Sequence, residues 1–88
     1  MLTPDKKKRV IEKYKTHATD TGSPQVQIAI LTAEIKDLTG HLLSHKKDFS
    51  SRKGLMRKVS ERRRLLKYLK REDVKGYAEL TDQLKIAA

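Results

Sequence analysis

His41 and His45 stand four residues apart, the spacing at which one face of a helix could aim two imidazoles at a metal ion. A zinc site needs more ligands than two. Asp37 and Asp48 are the carboxylates within reach, but the chain has no cysteine and no second histidine pair. Both histidines are therefore read as surface or nucleic-acid-contacting side chains, and no metal is expected. Catalysis fares no better. No pair of carboxylates is placed for acid/base work, and none of the three histidines has a nucleophile together with an orienting partner. Thr21-Gly22-Ser23 lacks the two glycines and the Lys-Ser/Thr ending of a phosphate-cradling loop. The expectation is a protein with no catalytic residue, no cofactor and no small-molecule substrate.

That Thr-Gly-Ser tripeptide reads first as a turn between helices. In the alternative reading Gly22 lets a ligand approach the backbone closely while Thr21 donates a hydrogen bond to it. Tyr68, set among arginines on the basic side opposite the leucines of its helix, is read as a contact to a base or a ribose ahead of the alternative, a core aromatic.

The charge pattern is more specific than any of these. The 88-residue chain has 21 Lys and Arg against 11 Asp and Glu, a formal net charge of +10. Between His45 and Arg71 there are twelve basic residues and two acidic ones, Asp48 and Glu61, while the remainder holds nine of each sign. The whole imbalance is local. A surface built for solubility intersperses both signs, so twelve cations in one stretch call for a polyanion to neutralise them. Lys46, Lys47, Arg52, Lys53, Arg57, Arg63 and Arg71 are the expected phosphate contacts. A membrane surface fits less well, because interfacial helices favour Trp and Phe and this stretch supplies mainly Leu and Val beside its cations. The N-terminus turns charged at Asp5 without an apolar leader segment, and no run approaches the roughly 20 apolar residues of a membrane span.

Four helices are expected to position these residues. Thr3-Pro4 opens the first, which carries Val10, Ile11 and Tyr14 on one face and fades at His17. Ser23-Pro24 opens the second, whose Ile28, Leu31, Ile35, Leu38 and Leu42 recur at spacings of three and four. A polar turn over 44–51 leads into the third. It runs to about Arg71 with Leu55, Val59, Leu66 and Leu69 inward, Arg62 intruding on that arc with its head group in water, and Lys53, Arg57, Arg64, Tyr68 and Arg71 outward. Asp73 caps a short fourth helix striped by Tyr77, Leu80 and Leu84. With 36% hydrophobic and 5% aromatic residues, the core is thin and leaves no room for a large enclosed site. The fold expected is all-α: a long antiparallel hairpin of helices two and three, a shorter first helix at its side and the fourth at its end, one domain over residues 1–88.

Gln27, Glu34 and His41, spaced by seven, line one flank of the second helix over about 21 Å and are expected to look outward. If the hairpin folds back near residue 47, Tyr68 comes level with Gln27, and Asp48 and Ser51 come level with His41. Two polar clusters beside a basic stripe suit docking along a folded RNA better than insertion into a DNA major groove. A nucleoid-type protein binding DNA without sequence preference would explain the charge, but not the clusters.

Asp20-Thr21-Gly22-Ser23, Val26-Gln27, Leu31-Thr32, His41-Leu42, His45-Lys46-Lys47-Asp48, Ser51-Arg52, Gly54-Leu55, Arg62-Arg63-Arg64-Leu65-Leu66 and Tyr68-Leu69, taken together and in this order, resemble the ribosomal protein S15 family of the bacterial small subunit. The resemblance covers essentially the whole chain. It implies a cytoplasmic ribosomal protein that is monomeric when free and binds the central domain of small-subunit ribosomal RNA early in assembly. It also implies neighbouring small-subunit proteins as partners, contact with large-subunit RNA at an intersubunit bridge, and, in some members, repression of the protein's own messenger. The positions matching the family's three-way-junction site are Thr21, Gly22, Gln27 and Tyr68, with Arg64 nearby. Those matching its minor-groove site are His41, Asp48 and Ser51, with His45 beside them. The chain departs from the family at Phe49-Ser50, where many members carry histidines, at Pro24-Gln25, where many carry Thr-Glu, and at the end, Lys85-Ile86-Ala87-Ala88, which lacks a basic tail.

Overall fold

Thr3 and Ser23 act as the sequence suggests. Each hydroxyl accepts a first-turn amide hydrogen, from Lys6 and Val26 respectively, both at 3.3 Å, and the proline that follows each has no amide hydrogen to leave unsatisfied. They open the first two of four helices in the computed structural model, which describes residues 2–15 and 22–86. The helices are α1 (Pro4–Tyr14), α2 (Pro24–Ser44), α3 (Phe49–Glu72) and α4 (Val74–Leu84), and no strand occurs among the described residues. None of them is long and apolar enough to cross a membrane. Asp48 caps α3 and Asp73 caps α4, the latter accepting the Gly76 amide hydrogen at 3.0 Å. A Cβ at Gly76 would meet the Asp73 carboxylate, so a larger residue there would make that capping side chain shift. The expected fade of helix one at His17 falls outside the described residues; α1 itself ends at Tyr14.

α2 and α3 make the most extensive contact, an antiparallel hairpin, with α1 laid on α2 and α4 against α3 and the start of α2. Ile28 of α2, Leu69 of α3 and Leu80 of α4 form one buried cluster, and Tyr14, Leu65, Leu66, Tyr77, Leu84 and Ile86 pack round it. All four helices thus meet at one end of the hairpin. Val26 and Ala29, which the seam of α2 did not include, are buried there as well. Farther along the seam Ile35, Leu38 and Leu42 are only half-buried, since a two-helix contact leaves its flanks open.

Two charged residues depart from expectation, each because the partner helix offers a polar atom. Arg62 does not reach out to water: its Nη1 donates to Thr32 Oγ1 across the hairpin at 3.3 Å, while Thr32 donates to the Ile28 carbonyl at 2.8 Å. Burial, helped by the neighbouring Arg63 charge, lowers the Arg62 pKa. Glu34 does not look outward either. It is 14% exposed and pairs with Lys58 of α3 at 3.3 Å.

The packing sets a sharp contrast between two apolar side chains on α2. Ile28→Ala, at a position with no exposed surface, is expected to lower unfolding free energy by about 2–5 kcal/mol. Leu43→Ala, at a position 73% exposed, is expected to stay within about 0.5 kcal/mol of the parent, both read from urea denaturation followed by circular dichroism.

Candidate nucleic-acid interface

At the turn, the last residues of α2 face the first of α3 and one carboxylate organises them. Asp48 Oδ1 accepts the Ser51 amide hydrogen at 3.0 Å, and Oδ2 accepts both the Ser51 hydroxyl hydrogen at 2.6 Å and the His41 Nε2 hydrogen at 2.8 Å. The Ser51 hydroxyl and amide, then His41, hold the Asp48 carboxyl well below the usual carboxylate range. His45 stacks flat on His41, ring centroids 4.3 Å apart and 6° from parallel, with its Nδ1 3.1 Å from the His41 carbonyl oxygen. Arg52 reaches back to donate to the Lys46 carbonyl at 2.9 Å, and its guanidinium lies over the Phe49 ring at 5.8 Å. His41, His45, Asp48 and Ser51 therefore come together as one exposed or half-exposed group, with Lys46 and Lys47 beside them.

The second cluster lies at the packed end of the hairpin. Gln27 Nε2 donates to the Gly22 carbonyl at 2.6 Å, tying the turn before α2 to the helix it precedes. A Cβ at Gly22 would meet nothing within 4 Å, and its φ is not positive, so neither packing nor backbone conformation within the chain requires glycine there. Ile28 and Leu69 share the buried cluster, which sets their exposed chain neighbours, Gln27 and Tyr68, at the same level. The Tyr68 ring is 45% exposed, with Arg71 over it at 5.4 Å and Arg64 one turn before it. Thr21 lies outside the described residues.

Among the expected phosphate contacts, Lys46, Lys47, Arg52, Lys53, Arg57, Arg63 and Arg71 are all exposed. Arg63 stands apart from the others, lining a groove toward the end of α4. Between the two clusters the Glu34–Lys58 pair closes the same flank. Sequence reasoning passed over that pair, although its signal was present: Glu34 is midway between Gln27 and His41, and Lys58 is seven residues past Ser51.

A small all-α hairpin with its entire net charge on one helix and its turn, and with exposed polar clusters at both ends, defines a helical protein built to face a polyanion. Comparison with known proteins narrows that class: the chain belongs to the ribosomal protein S15 family, whose profile matches residues 6–87. It is 53% identical over 83 residues to the small ribosomal subunit protein uS15 of Lysinibacillus sphaericus, covering 94% of this chain and 93% of the relative. It is 54% identical, with the same coverage, to that of Carboxydothermus hydrogenoformans, and 51% identical over 85 residues to that of Staphylococcus carnosus, covering 97% and 96%.

The Asp48 cluster has a consequence in pH. Because the native carboxylate resists protonation, the unfolded chain takes up a proton first as pH falls through the ordinary aspartate value near 3.9, and stability drops from there downward. Asp48→Asn is expected to flatten the acid limb of a stability-against-pH curve below about pH 5 and to leave its shape above pH 6 unchanged. Thermal unfolding of the two proteins across pH 2 to 7 measures this, and parallel acid limbs would contradict it.

Proposed function

We propose that this protein is a non-enzymatic structural component of the small ribosomal subunit that binds small-subunit ribosomal RNA in the central domain, as one RNA-binding helical domain over residues 1–88. Membership of a ribosomal protein family supports the coarse reading. The finer one rests on a single observation: two exposed polar clusters stand at opposite ends of one hairpin flank, about 21 Å apart along α2, next to a helix that carries an unbalanced positive charge.

In this reading the junction cluster is Thr21, Gly22, Gln27, Arg64 and Tyr68. Gln27 spends its amide nitrogen on Gly22 and keeps its carbonyl oxygen for an RNA donor such as a 2′-hydroxyl or an amino group. Gly22 leaves space that the protein itself does not need, which suits close approach of a ribose-phosphate backbone. Tyr68 offers a ring edge for ribose or base contact, with Arg71 already laid over the ring. The turn cluster of His41, His45, Asp48 and Ser51 is presented to the wide minor groove of an adjoining duplex. Ser51 and His41 are held by the Asp48 carboxylate, so the group enters the groove already ordered and loses little side-chain freedom on binding. Cations of α3 attract the RNA and release its counterions. Binding then selects the packed arrangement of three RNA helices from the looser ones. The same reading extends to neighbouring small-subunit proteins, to large-subunit RNA at an intersubunit bridge, and to a cytoplasmic ribosome in which the free protein is a monomer before assembly.

Gln27→Ala and Tyr68→Ala are each expected to weaken binding to a three-way-junction RNA by about tenfold and to leave plain duplex RNA nearly unaffected. Filter binding on both substrates checks this; equal losses on the two would contradict the assignment. Arg57→Ala is expected to lower affinity for every RNA and to reduce the slope of log affinity against log salt by about one.

A further inference from the structure

The RNA-facing clusters occupy one flank of the hairpin. The other flank holds a feature that meets those clusters only at Arg64, an open groove of about 980 Å³ between α3, the middle of α2 and the end of α4. Its construction starts at Lys85, whose left-handed conformation (φ 55) ends α4 and turns the chain so that the Ile86 amide donates to the Thr81 carbonyl at 3.0 Å. Ile86 is thereby folded back onto the core and becomes one wall. Ile35, Val59, Leu66 and Leu84 complete an apolar floor, all of them half-buried rather than covered. Around it stand Lys36, Arg63, Arg64, Lys67, Lys70 and Lys85, and no carboxylate lines the groove among the described residues.

We propose that this groove is a docking site for an acidic amphipathic helix of a partner protein. The reasoning is one of complementarity. Phosphates alone would need the cations but would gain nothing from an apolar floor, which costs free energy when left in water and is recovered when apolar side chains cover it. A helix with leucine-type anchors on one face and carboxylates on both flanks satisfies floor and rim together, the helix-in-groove mode of recognition. The dimensions agree. From Val59 to Lys70 the α3 wall extends about 16 Å, the length of about three helical turns. Two of the surrounding cations are already positioned: Lys70 lies over the Tyr77 ring at 5.6 Å, and Arg62, at the groove's base, is fixed on Thr32. Arg63, exposed on this flank, has no part in the junction or turn clusters. Arg64 is shared with the junction cluster and Arg63 is also an expected phosphate contact, whereas the apolar floor and Lys36, Lys67, Lys70 and Lys85 take no part in the RNA assignment above.

The test uses the full chain and a synthetic peptide of about three helical turns, leucines on one face and glutamates on both flanks, beside a scrambled peptide of equal composition. Fluorescence anisotropy at near-physiological salt is expected to show the amphipathic peptide binding at least about tenfold more tightly than the scrambled one, since charge alone cannot tell them apart. Arg63→Glu with Lys67→Glu is expected to weaken binding about tenfold or more, whereas Lys53→Glu with Arg57→Glu, the same charge change on the outer face, is expected to shift it less than about threefold. The milder Arg63→Gln with Lys67→Gln gives the same ordering if the reversed charges disturb folding. Equal binding of the two peptides, or equal losses from the two double variants, would overturn the proposal in favour of diffuse attraction. Displacement of the peptide by saturating junction RNA would overturn it in favour of RNA as occupant. Retention of the peptide on the RNA-bound protein would uphold it, and the peptide arms stand even if no junction RNA binds.

Discussion

One buried contact sets the register of everything else: Ile28 against Leu69, with Leu80 of α4 closing over them. An antiparallel helix pair can slide by a turn with little change in its apolar pattern, and each such slide would mate different polar residues across the flanks. Here the register is held at both ends, by apolar burial at the Ile28 end and by the Asp48 carboxylate at the turn. Between those ends the Glu34–Lys58 and Thr32–Arg62 pairs fit only one alignment. The two polar clusters are separated by a fixed length of rigid helix for that reason. A fixed separation is what a protein needs if it is to measure a folded RNA rather than merely adhere to it.

The charge on α3 is kept at some cost to the free protein. Lys53 with Arg57, Arg63 with Lys67, and Lys67 with Arg71 are like charges four residues apart, each pair disfavouring the helix by about 0.2–0.5 kcal/mol. Part of that is offset locally. Asp48 caps the N-terminus, Lys70 and Arg71 stand at the C-terminal end where the helix dipole favours cations, and the Arg52, Lys70 and Arg71 side chains lie over aromatic rings. The rest is relieved when a polyanion neutralises the helix, so folding and binding reinforce each other. Cations stand on both flanks of α3, those around the groove among them.

Much of the architecture was legible in the residues. Thr3-Pro4, Ser23-Pro24 and Asp73 mark helix starts through chemistry that acts within one turn, and the spacing of Ile28 and Leu31 shows which side of α2 is covered. The grouping of His41, Asp48 and Ser51 followed from folding the chain back near residue 47. What stayed hidden depends on partners far apart in sequence. Arg62 looked like a snorkelling side chain until Thr32, thirty residues away, supplied an acceptor, and Glu34 looked solvated until Lys58 faced it. Burial of Val26 and Ala29 likewise goes beyond what a single-helix stripe can reveal, since α1 and α4 pack on α2 as well as α3. The groove depends on the left-handed Lys85, a conformation that no lysine announces.

The central claim is that the protein recognises a shape of RNA, with charge supplying attraction and the two clusters supplying discrimination. Equilibrium competition tests it most directly: a central-domain three-way-junction RNA against RNA and DNA duplexes of equal length, at near-physiological salt with magnesium. The account predicts a preference for the junction of about a hundredfold or more. Equal affinity for all three would contradict it and reduce the protein to a basic helical surface.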